Sequence, residues 1–178
     1  MTGIPYPTEA ELDDDARAML AALPPLNVVR MFAGAPAALG PLTDLGQAIL
    51  LESELDPRLR ELAILAVART TGSGYERVQH EQVSRAIGVS DADIAAASAG
   101  DLDALDPEAR LVARFAAAVA RDVRADDELT AAVLELLGRR QATELVVCCA
   151  YYSAVARIIA TCGVEIEEKP VFTEEEST

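Results

Sequence analysis

The stretch Leu55–Arg69, LDPRLRELAILAVAR, followed by TTGSG at Thr70–Gly74 and YERVQH at Tyr75–His80, decides the fold. Asp56 before Pro57 is a helix start: the aspartate caps free amides, and proline suits the first helical position. From Glu61 onward the residues Leu62 to Ala68 are all apolar, so this helix has few watery faces and belongs inside the molecule. TTGSG breaks it near Arg69 with a short turn, and a second helix runs from about Gly74 to Ile87, where Gly88 ends it. The two helices form a hairpin.

Glu61 is out of place in such a helix. A buried carboxylate is costly unless paired, so either Arg58, Arg60 or another helix makes a structural ion pair with it, or it serves a site. On the second helix, Ser73, Glu76 and His80 are spaced i, i+3 and i+7, along one stripe that continues into Val83 and Ile87. The opposite face carries Arg77, Glu81, Ser84 and Arg85. Glu76 and His80 therefore occupy inward positions where the pattern calls for leucine. Glu61 lies eleven residues before Gly72 and His80 eight after it, so their levels along the hairpin differ by about 4 to 5 Å and they can meet. Two carboxylates and an imidazole converging in an apolar pocket are the parts of a general acid–base site. Tyr75 offers a phenol to orient a polar substrate.

The rest of the chain reads as helix on both sides. Thr8 with Glu11 has capping-box spacing and opens a helix to about Leu23, stopped by Pro24 and Pro25. A short helix follows at about Asn27 to Ala33, then a longer one from about Pro36 to Glu52. After the hairpin, Ser90 with Asp93 caps a helix to about Ala99, and Asp106 with Pro107 opens one to about Asp122. Two more cover about Asp126 to Leu137 and Arg140 to Cys162, the last apolar enough to be central to the core. Residues 1–165 read as one all-α domain. Residues 166–178 read as an acidic tail or an arm that contacts another subunit through Val171 and Phe172.

Composition agrees with this. Of 178 residues, 51% are apolar, with alanine and leucine dominant and no tryptophan, a balance that favours helix over sheet. The net charge of −15 argues against nucleic acid and anionic membranes as partners, because both demand a basic patch. No uncharged apolar stretch reaches the roughly 18 residues of a membrane span, and MTGIPYPTEAELDDD lacks the features of a signal peptide, so a cytoplasmic location is expected. Cys148, Cys149 and Cys162 form no disulfide framework and read as buried structural thiols. There is no glycine-rich nucleotide loop and no metal-ligand spacing of histidines or cysteines. Any reaction is expected to need no cofactor and no metal.

At LDPRLRELAILAVAR, YERVQH and AIGVS the chain resembles the carboxymuconolactone decarboxylase family, which also contains alkyl hydroperoxidase D. The resemblance is best over Leu42 to Ala97. It implies an alkyl hydroperoxidase D-like helical bundle, assembled as a homotrimer or homohexamer with pockets near subunit contacts. In the hydroperoxidase branch a glutamate and a histidine serve a C-x-x-C pair. By position these are Glu61 and His80, but the two cysteines fall at Ser73 and Glu76, so the redox pair is absent. The decarboxylase branch is the better likeness, since Tyr75, Glu76 and His80 stand in its Tyr-Glu-x-x-x-His pattern. Arg77 departs from the tryptophan common there. A longer amino-terminal section is expected to cover the pocket or alter its substrate.

The reading is a cofactor-independent lyase or isomerase acting on a small carboxylated lactone or related enolisable acid. Its catalytic residues are His80, Glu61 and Glu76, and Tyr75, Arg77 and Ser73 bind the substrate. The alternatives are a peroxidase-related oxidoreductase using another thiol, and a non-catalytic helical binding or scaffold protein.

Overall fold

The computed structural model describes residues 3–169, 171 and 172. A 3-10 turn at Glu9–Glu11 precedes α1 (Asp14–Ala22), α2 (Asn27–Phe32) and α3 (Pro36–Gln47), which continues through a π-helical turn at Ala48–Glu52. Then come α4 (Pro57–Thr71), α5 (Gly74–Ala86), α6 (Asp91–Ala99), a 3-10 turn at Leu102–Ala104, α7 (Pro107–Asp122) and α8 (Asp127–Cys162). No strand occurs among the described residues.

Local chemistry sets these boundaries. Asp56 accepts the Leu59 amide at 3.0 Å, Ser90 that of Asp93 at 3.1 Å, and Asp106 those of Glu108 and Ala109 at 3.0 Å. The expected first helix is shorter than its capping box suggested. Thr8 and Glu11 do form the box, but it closes a single 3-10 turn, and Asp13 then caps Ala16 at 2.8 Å and starts α1 afresh. Two competing caps five residues apart divided what the pattern joined. Gly138, at φ 70° and ψ 171°, breaks α8 into the two helices that the sequence indicated.

α4 is the axis of the bundle. Every residue from Leu59 to Ala68 is buried, and the helix packs against α5, α6, α7 and α8. Leu62, Ile64, Leu65 and Val67 are fully enclosed, each contributing about 1.5–3 kcal/mol of burial. Arg58 holds the outer end of this core, reaching Asp93 at 2.9 Å and Asp106 at 2.5 Å. A second apolar cluster joins α1, α2 and α3 to Tyr75 on α5 and to Val155 and Ile159 near the end of α8. α8 contains an 18-residue window with mean hydropathy 1.8, apolar and long enough for a span by composition, and 44% of it is buried in the protein.

The two clusters meet where α3 crosses α8. Tyr151 donates to the Leu42 carbonyl at 3.0 Å, and a Cβ at Gly46 would stand 2.7 Å from the Tyr151 hydroxyl. A side chain at Gly46 would require the Tyr151 phenol to shift. Gly46→Ala should push the phenol aside and break its hydrogen bond, lowering stability by about 1–2 kcal/mol in urea unfolding. Unchanged stability would show that the ring yields freely.

Candidate active site

The α4–α5 hairpin turns at Gly72, whose φ of 73° lies in the left-handed region. Ser73 then caps α5, accepting the Glu76 amide at 3.4 Å. This geometry brings Glu61 and His80 together across the hairpin: Glu61 Oε2 lies 2.7 Å from His80 Nδ1. The other carboxylate oxygen accepts from Arg60 Nε at 3.2 Å. Glu61 is 0% exposed. The sequence offers an ion pair and a site role as alternatives, and Glu61 makes both contacts. Arg58, the other candidate partner, is taken by α6 and the start of α7.

His80 is fixed on a second side by Tyr152, whose ring meets it edge-on with centroids 4.7 Å apart. Its Nε2 has no hydrogen-bond partner among the described residues. That nitrogen belongs to a ring lining a cavity of about 360 Å³. Glu76 lines the same cavity. It is 3% exposed, and neither of its carboxylate oxygens has a hydrogen-bond partner among the described residues. Burial pushes the Glu76 carboxyl up to about 7, with Ser73 and the charge of His80 drawing it back in smaller measure.

The remaining expected residues divide. Tyr75 lines the cavity, but its hydroxyl is committed, donating to Glu167 at 2.5 Å and accepting the Val28 amide at 3.3 Å. It presents a ring to the cavity wall, and the expected free phenol is absent. Ser73 is buried as a helix cap and is not part of the lining. Arg77 points outward, 44% exposed and paired with Glu81 at 2.8 Å, so the structure does not place it to hold a substrate in this cavity. The i, i+4 ion pair on the outer face accounts for its direction.

Several lining residues went unseen in the sequence. Val28, Val29 and Phe32 from α2, together with Leu23 and Leu26, roof the cavity, so the amino-terminal section does cover the pocket. Tyr151, Tyr152, Gln79, Thr43 and Gln47 complete the polar inventory. Glu167 stands behind two lining residues: it accepts from the Asn27 amide at 2.6 Å, from Tyr75 and from Gln79. No sequence signal distinguishes Glu167 from the acidic residues around it. Of the expected tail, residues 170 and 173–178 lie outside the described residues, while Phe172 reaches the cavity.

The thiols stand apart. Cys148 and Cys149 are buried. Burial pushes the Cys148 thiol well above its ordinary value, helped by Cys149 and Glu61, and pushes Cys149 up to about 12. Cys162 is half-buried and does not line the cavity. Among the described residues no group of three or more histidine, cysteine, aspartate or glutamate side chains is placed to hold a metal.

An all-helical bundle with a Glu–His pair on a buried hairpin, set behind an apolar cavity, is the class that fold and site define. Residues 36–120 match the model of the carboxymuconolactone decarboxylase family. No curated protein matches the chain in sequence. Among solved structures it is similar to an uncharacterized peroxidase-related protein with an alkylhydroperoxidase core from Ralstonia eutropha JMP134. That match has a TM-score of 0.80 at 20% identity, covering 92% of this chain and 91% of that one. An uncharacterized peroxidase-related protein from Silicibacter sp. TM1040 gives a TM-score of 0.81 at 16% identity, covering 94% and 92%. At these identities the likeness establishes the fold.

The burial of Glu76 has a signed consequence for stability. Its folded pKa of about 7 lies above the ordinary 4.5, so between those values the folded chain binds more protons than the unfolded one. Stability therefore falls as pH rises from about 4.5 to about 7 and is level above that. Glu76→Gln should abolish this fall and exceed the parent at about pH 8 by roughly 3 kcal/mol in urea unfolding. A parent stability independent of pH over that window would contradict the burial cost.

Proposed function

We propose that the chain is a cofactor-independent acid–base enzyme in which His80 moves a proton to or from a carbon of a small enolisable substrate. The observation that carries this reading is the 2.7 Å contact between Glu61 Oε2 and His80 Nδ1. A carboxylate on Nδ1 fixes the ring and its tautomer, leaving Nε2 as the nitrogen for a ligand in the cavity. Glu61 is then a positioning residue, and Glu76 is the second titratable group at the reacting centre.

Two reactions use the same proton transfer. Loss of carbon dioxide from a carboxylated lactone or related enolisable acid leaves a dienolate-like anion, which a placed acid protonates. Isomerisation of an enolisable carbonyl compound removes a proton from one carbon and returns it to another. Either gains about 10²- to 10⁴-fold from a positioned acid or base. The proposal includes a cytoplasmic homo-oligomer, a trimer or hexamer. Exposed apolar residues on the surface, among them Leu51, Val146 and Val147, support a subunit contact.

Both similar structures are those of peroxidase-related proteins, which favours a second reading, a peroxidase-related oxidoreductase. Such chemistry needs a reactive thiolate, and burial opposes that form at Cys148 and Cys149. The two readings separate on exchange of α-angelica lactone in heavy water, followed by NMR. The parent protein should accelerate deuterium uptake beside the carbonyl, and His80→Gln should reduce it about 100-fold or more. Replacing Cys148, Cys149 and Cys162 together by serine should leave the exchange in place. Absence of exchange in the parent, or activity lost with the cysteines and kept without His80, would contradict the acid–base reading.

A further inference from the structure

The cavity holds an asymmetry of charge. Its ionisable lining consists of Glu76, His80 and three tyrosines, with no lysine or arginine among the described residues that form it. Arg60 is held behind Glu61, and Arg77 faces outward. Glu167, hydrogen-bonded to Tyr75 and Gln79, adds a further carboxylate behind these two lining residues. An anion entering this space would be stripped of water and would meet carboxylates without a free counter-charge. Apart from Thr43, Gln47 and Gln79 the rest of the lining is aliphatic and aromatic, and about 360 Å³ gives room for roughly a dozen non-hydrogen atoms at the ~30 Å³ a liquid water occupies. Two lining side chains have buried oxygens without a partner among the described residues: Gln79, whose amide nitrogen is held by Glu167, and Glu76, 3% exposed, with both carboxyl oxygens unanswered.

We infer that the cavity takes a neutral, largely apolar enolisable ketone or lactone whose carbonyl oxygen is met by the Glu76 carboxyl, and that it rejects substrates bearing a carboxylate. The inference rests on the acid–base reading and narrows it to proton transfer without loss of carbon dioxide. His80 Nε2 takes the proton from the carbon beside the carbonyl. The C–H electron pair becomes the enol double bond, the carbonyl π pair moves to oxygen, and the Glu76 proton stabilises that oxygen by hydrogen bond or transfer. Return of the proton from His80 to carbon restores the carbonyl, and nothing is oxidised or reduced. A carboxyl that burial allows to hold its proton up to about pH 7 is suited to this donor role.

The groups that face Glu76 are few. On α5 they are Ser73 and His80. From α8 they are Tyr151 and Tyr152, whose phenols are raised by burial and further by the Glu76 charge, Tyr151 to about 12. From α4, Glu61 stands behind His80 with Arg60. The roof from α2 brings no ionisable side chain to the lining.

The test is calorimetric binding of two probes of similar size, neutral β-tetralone and anionic β-naphthoate, to the intact chain. β-Tetralone should bind at least about tenfold more tightly than β-naphthoate, and its affinity should fall about tenfold from about pH 6 to about pH 8 as the Glu76 proton is lost. Glu76→Gln, which keeps a donor, should bind the ketone with no such pH dependence. Equal or tighter binding of β-naphthoate by the parent overturns the inference without recourse to any variant, as does ketone affinity flat with pH. Exchange of the β-tetralone protons in heavy water separates the two levels of argument. Selective, pH-dependent ketone binding without exchange supports the site as inferred and overturns the acid–base reading, whereas exchange with preferred binding of the anion does the reverse.

Discussion

The Glu61 carboxylate sits at the centre of the most enclosed helix in the bundle, and the rest of the architecture answers it. A carboxylate there must have partners, and it has two: Arg60 on its own helix and His80 across the hairpin. Removing one partner of such a buried set costs about 3–5 kcal/mol, so the contact fixes the register of α5 on α4 as firmly as an apolar layer would. Apolar side chains of similar volume would pack there as well and need no answering charge. The pairing is therefore better understood as positioning the imidazole than as a source of stability.

From that contact the cavity follows. Because α5 is held with its Glu76–His80 stripe inward, a second set of apolar elements is needed to cover the stripe, and α1, α2 and α3 supply it. The carboxyl of Glu76 is left between the two clusters without a hydrogen-bond partner among the described residues. A fold optimised for stability alone would place leucine at that position. The retained carboxyl, with its raised pKa, marks the place where burial cost and chemistry coincide.

The parts of this arrangement governed by local rules were legible in the sequence. Asp56–Pro57, Ser90 and Asp106–Pro107 announce helices because the caps involve neighbours within a few residues. The stripe through Glu76 and His80 is a matter of helical period, and the meeting with Glu61 follows from counting residues about Gly72. What resisted reading depended on partners distant in the chain. The Tyr75 phenol looked free because its partner, Glu167, lies ninety-two residues away. Arg77 looked available because the pattern gives a residue's face but not which neighbour on that face will take it, and Glu81 does. The joining of Thr8 to Leu23 into one helix failed for a local reason, the competition between Thr8 and Asp13 as caps.

The central claim is that Glu61 holds the proton on His80 Nδ1 and leaves the Nε2 lone pair to the cavity. His80 is the single histidine of the chain, so a long-range proton–nitrogen NMR correlation of the ring in the ligand-free protein is unambiguous to assign. In the neutral ring the account predicts a protonated Nδ1 and an unprotonated Nε2. A neutral ring carrying its proton on Nε2 would contradict it, since the nitrogen assigned to accept a proton from substrate would already hold one.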